Sequence, residues 1–319
     1  MIVVSGEALI DQILPPPPSR GKVGVGGGGP FTTARALARL GVPTQFLGRL
    51  STDSYGDQLR ELLAADGVDL TLTSFGPEPT TLAIAEVDPD GHAAYRFVSD
   101  GSSAPNLTQQ MVPTSFGPTV KALHVGTLGL VLEPIATTIA ALVDREHTER
   151  LVMVDPNIRL PMLNGGADYR ARLDRIIAQS TIVKASDADI DWLFPQLDRP
   201  EAARTLLAGG PQLVVVTLGA EGAVGVSAST EVQVPAPVVK VVDTIGAGDA
   251  FGAALLAWLH DHGRLSRDLR LRRGELRAAL EFACLVASLT CTRPGADPPW
   301  RSELGPLGAT ARTHDAAGH

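Results

Sequence analysis

The sequence predicts an α/β fold, in which a mainly parallel sheet carries helices on both faces and a small β element projects from it. The first observation is that short apolar runs alternate with Ala-, Leu- and Arg-rich stretches of helical spacing over most of the chain. Such alternation is typical of βαβ crossovers, which cover both faces of a parallel sheet with helices. The second is size: 319 residues, 44% of them hydrophobic, can bury a large core, as one large domain or two smaller ones.

The alternating elements follow one another in a simple order. Buried strands are predicted at 1–6, 44–50, 122–129, 151–157, 181–186 and 213–219. Helices, several of them closed by glycine, are predicted at 32–41, 54–67, 134–147 and 199–210. The run "VVKVVD" at 238–243 also has the composition of a strand.

Two regions interrupt this alternation of strands and helices. Residues 15–29 hold four prolines followed by many glycines, and residues 70–100 alternate with period two around a "DPDG" turn. Because the second pattern is typical of a hairpin, we expect a small β lid built from about 12–30 and 70–100. The tail, residues 301–319, has little apolar content, and we expect it to be disordered.

Composition argues against some classes of partner and indicates a cellular compartment. A net charge of −8 argues against a nucleic-acid partner. Mean hydropathy is +0.12, and no apolar run approaches the ~20 residues that a bilayer requires, so no membrane association is expected. The first residues resemble a strand and not a signal peptide. Two cysteines seven apart suit core thiols in a reducing cytosol, which predicts a cytoplasmic protein.

The stretch "VVDTIGAGDAFGAALLAWL" at 241–259 carries the clearest chemistry. From Asp249 onward the apolar residues fall on one face of a helix, so the loop before it lies at a helix N-terminus. Gly246, Ala247 and Gly248 leave space for a ligand to approach free backbone amides, which stabilise negative charge. Asp249 can accept a proton from an attacking hydroxyl. The alternative is a tight turn followed by an ordinary acid at a helix start.

This stretch is not a Walker A loop, because no Gly-Lys-Ser/Thr follows. "DTIGAGDAF" instead resembles the C-terminal signature of the ribokinase-like, or PfkB-type, carbohydrate kinases. Further segments follow that family in order and are closest to its fructokinase-like members: "GEALID", "GGGGPFTTARALARLG", "FLGRLSTDSYGDQL", "DPNIR", "VKASDAD", "VVVTLGAEGA" and "CTRPGA". The resemblance implies a single three-layer α/β/α domain over residues 1–300 with a small β lid, and an ATP-dependent phosphotransferase.

The resemblance also implies roles at the phosphoryl and sugar sites. Asp249 becomes the catalytic base, and Gly246, Ala247 and Gly248 become the anion hole. The expected sugar contacts are Asp11, Gly27, Gly28, Thr32, Arg96 and Arg159. Thr32 stands where the family usually has an asparagine, so that contact differs from the common pattern.

The resemblance also implies which residues contact the nucleotide and the cations. The residues matching the nucleotide side are Lys184, Ser186, Thr217, Gly219 and Gly222. Asp189 takes the position of a usual glutamate near Mg²⁺, although an acidic helix start explains it equally well. In many members a monovalent cation such as K⁺ lies below the anion hole; its candidate ligands here are Asp243 and the carbonyls of Ile245 and Gly295.

Several alternatives remain open at this point. Fructose is favoured as substrate; the main rival is 2-keto-3-deoxygluconate, whose carboxylate Arg96 and Arg159 could clamp, and ribose or nucleosides are less supported. "GVGGGG" at 24–29 matches a dinucleotide-binding pattern of a redox enzyme but lacks the required preceding strand. A non-catalytic sugar-binding regulator is the other class. The lid is expected to pair two copies of the chain as a homodimer.

Overall fold

The computed structural model describes residues 1–14, 23–87, 93–163 and 167–305. Its strands in chain order are β1 Ile2–Ser5, β2 Leu9–Leu14, β3 Val23–Gly27, β4 Thr44–Leu47, β5 Arg49–Ser51, β6 Ser74–Gly76, β7 Leu82–Val87, β8 Ala93–Val98, β9 Ala122–Gly126, β10 Leu151–Asp155, β11 Ile182–Ser186, β12 Leu213–Thr217, β13 Ala223–Ser227 and β14 Thr230–Val234. Its α-helices are α1 Gly29–Arg39, α2 Ser54–Ala65, α3 Ile135–Glu146, α4 Ala167–Gln179, α5 Asp187–Leu193, α6 Arg199–Ala208, α7 Ala247–Asp261 and α8 Arg273–Thr290.

Within the described residues, the main sheet has eight strands in the order β14-β13-β12-β11-β10-β9-β1-β4. The six strands from β4 to β12 are parallel, and all six contain segments that the sequence predicted as strands. The sheet ends in an antiparallel hairpin of β13 and β14. β1, β9 and β10 are buried at every position, as expected for parallel strands covered on both faces.

Helices cover both faces of this sheet, which confirms the predicted three-layer α/β/α architecture. Alternate strand residues point to opposite sides. Val4 and Met153 join one core with α1, α2, α7 and α8. Val3 and Val152 join the other core, with α3, α4, α5 and α6.

A second sheet of four strands, in the order β3-β2-β7-β8, is the small β element of the fold. Its pairing begins at Leu9, slightly before the predicted boundary at 12. Residues 74–76 pair instead with β5 in a separate two-stranded sheet. Residues 15–22 and 88–92, which belong to the predicted lid segments, lie outside the described residues.

Helix α7 places the signature stretch in the centre of the molecule. Sequence periodicity predicted one apolar face, but every residue from Ala250 to Leu259 is buried. The helix packs between the main sheet, α1 and α8, so it has no solvent-facing side along this length. A helix that is apolar all round is expected in such a position. The packing fixes the N-terminus of α7 relative to the sheet.

Two predictions about the C-terminal third were wrong. "VVKVVD" at 238–243 forms no strand, because the amides of Val242 and Asp243 donate to the carbonyl of Cys291 at 2.8 and 3.2 Å, and Val238 is fully exposed at the mouth of a cavity. Residues 301–305 are ordered: Arg301 donates to the carbonyl of Leu40 at 2.5 Å and to Asp261 at 2.6 Å, and Leu304 is buried. Residues 306–319 lie outside the described residues.

In the described part of the chain, no helix is both long and apolar enough to cross a membrane. Both cysteines are free thiols: Cys284 is buried in α8, as the sequence predicted, whereas Cys291 follows the end of that helix and is only partly buried.

Candidate active site

A cavity of about 960 Å³ lies at the carboxyl ends of the parallel strands, between the N-terminus of α7 and the second sheet. This is the edge at which open α/β sheets generally bind ligands. Of the residues that sequence analysis selected, the cavity is lined by Asp11, Gly27, Gly28, Thr32, Arg159, Lys184, Ser186, Thr217, Gly219, Gly222, Ile245, Gly246, Ala247, Gly248 and Asp249. The fold therefore brings together most of the predicted site from segments that are far apart along the chain.

Asp249 lies in the first turn of α7 and faces this cavity. Burial raises the pKa of its carboxyl, while the charges of Lys184 and Arg159 lower it; burial is the larger effect. A carboxylate with a raised pKa is a stronger base than an exposed aspartate. The side chain predicted to act as base is thus in a position and an environment that suit proton abstraction.

The loop before Asp249 presents free backbone donors to the same space. Gly246 adopts the left-handed conformation with φ of 77°, and an added Cβ there would lie 2.7 Å from the Cβ of Ala296, so only glycine fits. Among the described residues, no group accepts a hydrogen bond from the amides of Gly246, Gly248 or Asp249. The amide of Ala247 donates to Thr244 at 3.3 Å. Unpaired amides at the N-terminus of a fifteen-residue helix form a ready site for an anion.

Below this loop lies a buried ion pair. The ammonium of Lys184 donates to Asp155 at 2.8 Å, and both side chains are almost fully buried. Burial alone would lower the pKa of Lys184, but the charge and hydrogen bond of Asp155, together with the charges of Asp249 and Asp189, outweigh burial, so the pKa is raised and the ammonium stays charged. The Lys184 Nζ lies 3.0 Å from where a Cβ on Gly248 would stand. A fixed positive charge therefore lies directly beside the anion-binding loop.

The second sheet supplies the opposite wall. Asp11 pairs in register with Ala83, and Ala83 with Phe97, so the three share the face that lines the cavity. Burial raises the pKa of Asp11 to about 6, with a further contribution from the charge of Asp249 and an opposing one from Arg159. A Cβ on Gly27 would lie 1.9 Å from the Asp11 carboxylate, so any larger residue there would displace that carboxylate. This wall combines a carboxylate with apolar surface, a suitable combination for a sugar.

Thr32 and Gly28, two of the predicted sugar contacts, also line the cavity. Thr32 lies in α1, is 1% exposed and faces the cavity beside Gly246. Gly28 precedes α1 with φ of 101°, which only glycine adopts readily. Arg159, at the end of the "DPNIR" segment, is exposed at the cavity wall.

Arg96 does not belong to this site, contrary to the prediction. It lies on β8 next to Phe97, and neighbouring residues of a strand point to opposite faces. Phe97 lines the cavity and Arg96 does not, so the Arg96 side chain is exposed on the outer face of the sheet. Sequence analysis placed the residue on the correct strand but on the wrong face.

The nucleotide side predicted from the sequence lies at the far end of the cavity. Ser186 ends β11, Thr217 ends β12, and Gly219 and Gly222 form the following turn. Gly222 has φ of 97°, and a Cβ there would lie 2.0 Å from the carbonyl of Val234. Further lining residues that sequence analysis did not select come from α8, from the residue after it and from the 236–241 segment: Ala236, Pro237, Val238, Val239, Val241, Cys284, Ala287, Ser288 and Cys291.

The side chain of Asp189 caps the start of α5 and is not placed to bind a metal ion. Its Oδ2 accepts from the Ser186 amide at 2.8 Å and hydroxyl at 2.7 Å, and its Oδ1 accepts from the Ile158 amide at 2.7 Å. These bonds form a capping box at the start of α5, and the side chain is buried outside the cavity. The geometry favours the alternative of an acidic helix start over a role near Mg²⁺.

The candidate monovalent-cation ligands do converge. Asp243 accepts hydrogen bonds from the amide of Ile245 at 3.0 Å and from the amide of Gly295 at 2.8 Å. The two loops carrying these residues also meet where Ala296 packs on Gly246. Sequence analysis expected the carbonyls of Ile245 and Gly295 to act with Asp243, and a cation held in this way remains a prediction.

Comparison with known families explains this arrangement. The family model for "pfkB family carbohydrate kinase" matches residues 1–303. The chain belongs to this family. The redox and regulatory alternatives are thereby set aside in favour of a sugar kinase. The "GVGGGG" segment lies in β3 of the second sheet, in Gly28 and in the first residue of α1.

Individual relatives of the kinase agree with the family. The chain is 41% identical over 262 residues to a fructokinase from Rhizobium leguminosarum bv. trifolii, covering 81% of this chain and 79% of the relative. The structure of Xylella fastidiosa fructokinase with bound ATP matches with a TM-score of 0.88 at 27% identity, covering 97% and 98% of the two chains. A double mutant of the Vibrio cholerae O395 fructokinase, solved with fructose, ADP and a potassium ion, matches with a TM-score of 0.83 at 26% identity, covering 96% and 97%.

Three further residues of the kinase's site were missed from the sequence: Glu7, Thr127 and Asp155. Glu7 and Asp155 stand inside the quoted segments "GEALID" and "DPNIR", so an acid in each was visible without a role. Their partners lie 120 and 29 residues away, and no local pattern indicates such a pairing.

Proposed function

We propose that this chain is an ATP-dependent fructokinase, which transfers the γ-phosphoryl group of ATP to a hydroxyl of fructose. The observation that carries the proposal is the arrangement at the start of α7. The Asp249 carboxylate and the unpaired amides of Gly246 and Gly248 face one cavity, with Asp11 on its opposite wall. One end suits a sugar and the other a nucleotide, and the phosphoryl group passes between them at α7.

Different residues of the chain orient the sugar, accept its proton and stabilise the transferring phosphoryl group. Asp11 has two acceptor oxygens that suit a vicinal diol, and it orients the sugar. Asp249 accepts the proton of the attacking hydroxyl as the sugar oxygen bonds to the γ-phosphorus and the bond from that phosphorus to the bridging oxygen breaks, which releases ADP. The amides of Gly246 and Gly248, with the Lys184 ammonium beside them, stabilise negative charge that grows on the transferring group.

Mg²⁺ enters this proposal bound to the phosphates of ATP. Among the described residues, no cluster of three or more His, Cys, Asp or Glu side chains can hold a metal ion. Mg²⁺ commonly keeps several waters and binds through substrate phosphates, which needs no protein cage. The charge of Mg²⁺ would complement the anion-binding loop.

We further propose K⁺ near Asp243, Ile245 and Gly295, supported by the convergence of those residues and by the potassium ion of the Vibrio relative.

A neutral sugar suits the cavity better than an acid sugar. Of the two arginines proposed as a carboxylate clamp, only Arg159 lines the cavity. Arg159 already faces two carboxylates, since its charge lowers the pKa of both Asp11 and Asp249. 2-Keto-3-deoxygluconate and ribose remain the alternative substrates.

The deciding experiment is a coupled ADP-release assay over fructose, ribose, 2-keto-3-deoxygluconate and adenosine, with Mg²⁺ and with or without K⁺. We expect the highest kcat/KM with fructose. A higher kcat/KM with any other compound would reassign the substrate, and ADP release that no sugar increases would contradict the proposal itself.

Arg96→Ala is expected to change kcat/KM for fructose by less than about threefold, because a surface substitution away from the site alters free energies by only ~0.5 kcal/mol. Steady-state kinetics with fructose and with 2-keto-3-deoxygluconate measure this. Arg159→Ala, at the cavity wall, is the comparison variant and should have the larger effect. A loss of tenfold or more from Arg96→Ala would place that side chain in sugar binding after all.

The second sheet is proposed to close over the sugar as a lid and to pair two copies of the chain. Closure would exclude water that competes for the phosphoryl group. The face away from the cavity carries the exposed Arg96 and the partly exposed Val98, and this face is the proposed homodimer contact. Sedimentation of Val98→Glu tests it: a monomer is expected, whereas an unchanged dimer would move the contact elsewhere.

We propose a cytoplasmic location, where ATP and free hexose are available.

A further inference from the structure

Glu7 is a buried acid of the cavity wall that the mechanism above does not use. It lies in the turn between β1 and β2, four residues before Asp11, and is only 2% exposed. Its carboxylate faces the wall beside α1 and the 127–130 turn. A buried carboxylate is costly unless its oxygens accept hydrogen bonds, so its presence here needs a physical reason.

Three donors from two distant segments converge on this carboxylate. Oε1 accepts from the amide of Gly29 at 3.3 Å and from the hydroxyl of Thr127. Oε2 accepts from the amide of Gly129 at 2.9 Å. Thr127 has φ of 53°, which is unusual for a residue with a branched side chain, so its turn is held by surrounding contacts. Glu7 therefore joins the first residue of α1 to a turn that follows β9.

This junction directly adjoins Asp249. A Cβ on Gly29 would lie 2.4 Å from Thr127 Cγ2 and 3.1 Å from Asp249 Oδ1, so Gly29 is enclosed between them. The hydroxyl of Thr33, one turn along α1, donates to the Asp249 carbonyl at 3.5 Å. Any displacement of Gly29 or Thr127 would therefore be transmitted to the base.

We propose that Glu7 is a positioning residue, whose carboxylate holds Gly29 and the Thr127 turn against Asp249 and so fixes the base relative to the sugar hydroxyl. The inference rests on the proposed kinase function. Asp249 is the charged group that faces Glu7, and Lys184, Arg159 and Asp11 are those that face Asp249. The two acids are close enough for the charge of Asp249 to raise the pKa of Glu7, which burial chiefly raises to about 7.

The test is Glu7→Gln, which keeps the shape and one acceptor but turns the other oxygen into a donor that opposes the Gly129 amide. We expect kcat to fall by about 10- to 100-fold, the effect of a small misplacement of a catalytic group, with KM for ATP unchanged. Because the pKa of Glu7 is raised to about 7, wild-type kcat should also fall as the pH drops through about 7 and the Glu7 carboxylate takes up a proton, and Glu7→Gln should lack this limb of the kcat–pH profile. A merely structural role would not move that limb.

Glu146→Gln is the matched control, since Glu146 is equally buried, at 2%, but pairs with Arg145 and Arg150 in the distant α3 region. It should destabilise the fold without altering the pH profile. If Glu7→Gln does not fold, Thr127→Val tests the proposal instead, because it removes the hydroxyl that donates to Glu7 and keeps the shape of the side chain. Thr127→Ser, which keeps the hydroxyl, is its control. A loss of kcat in the valine variant alone supports the inference.

The outcomes separate the two proposals. Wild-type protein that phosphorylates no sugar would overturn the proposed function. An active wild type with a Glu7→Gln variant of unchanged kcat and pH profile, or with Thr127→Val as active as Thr127→Ser, would overturn the role of Glu7 alone.

Discussion

Replacing Asp249 by asparagine is expected to lower kcat by about 10²- to 10⁴-fold, the usual contribution of a general base. Asparagine has nearly the same shape and cannot take the proton of the sugar hydroxyl. The unpaired amides of Gly246 and Gly248 remain in place, so ATP should bind as tightly as before. Steady-state kinetics at saturating fructose and ATP, together with calorimetric titration of ATP, measure the two effects separately.

The same variant should be at least as stable as the wild type. Burial raises the native pKa of Asp249 above its ordinary value, so the native state holds this proton more tightly than the unfolded chain. Stability therefore falls as pH rises from the ordinary pKa of an aspartate to the raised native one, and it stays lower above that. The neutral asparagine side chain would be free of this penalty at neutral pH, so the Tm of the variant should equal or exceed that of the wild type.

Asp268→Asn, at an exposed position between α7 and α8, is the control and should leave both kcat and Tm unchanged. Activity of Asp249→Asn within about threefold of the wild type would show that another group takes the proton. A Tm well below that of the wild type would mean that the Asp249 carboxylate stabilises the native fold, and the kinetic loss would then have a structural component.

The extent to which the sequence predicted this site depends on how local each feature is. The loop from Gly246 to Asp249 was predicted because its chemistry lies within four consecutive residues at the start of one helix. The strands were predicted because parallel strands buried on both faces are apolar throughout. In both cases neighbouring residues along the chain carry the whole signal.

Features that depend on distant residues were missed or misplaced. Lys184 was recognised, yet its partner Asp155 comes from a different strand. The assignment of Arg96 depended on which face of β8 lines the cavity, and a shift of one residue reverses that face. "VVKVVD" has the composition of a strand, but the amides of Val242 and Asp243 donate to the carbonyl of Cys291 and not to a strand, and Val238 and Val241 are exposed at the cavity mouth.

Gly248→Val is expected to lower kcat by about 10²- to 10³-fold, the effect of losing an amide donor that acts in the transition state. Gly248 has an ordinary helical backbone, so valine causes no backbone strain there. Its Cβ would lie 3.0 Å from Lys184 Nζ and would displace the ammonium, and its methyl groups would occupy the space in front of the amides. Donors directed at the moving phosphoryl group matter more in the transition state than in the ground state, so the Kd for ATP should change far less than kcat.

Gly274→Val is the matched control, because the same substitution in α8 adds a Cβ that meets nothing within 4 Å. It should leave kcat unchanged and report only the general cost of valine in a helix. Single-turnover rates and equilibrium ATP binding for the two variants separate the alternatives. Equal losses of kcat and ATP affinity in Gly248→Val would mean that the loop binds the nucleotide in the ground state without favouring the transition state. A selective loss of kcat would instead place the growing negative charge at the N-terminus of α7, where the unpaired amides and Lys184 meet.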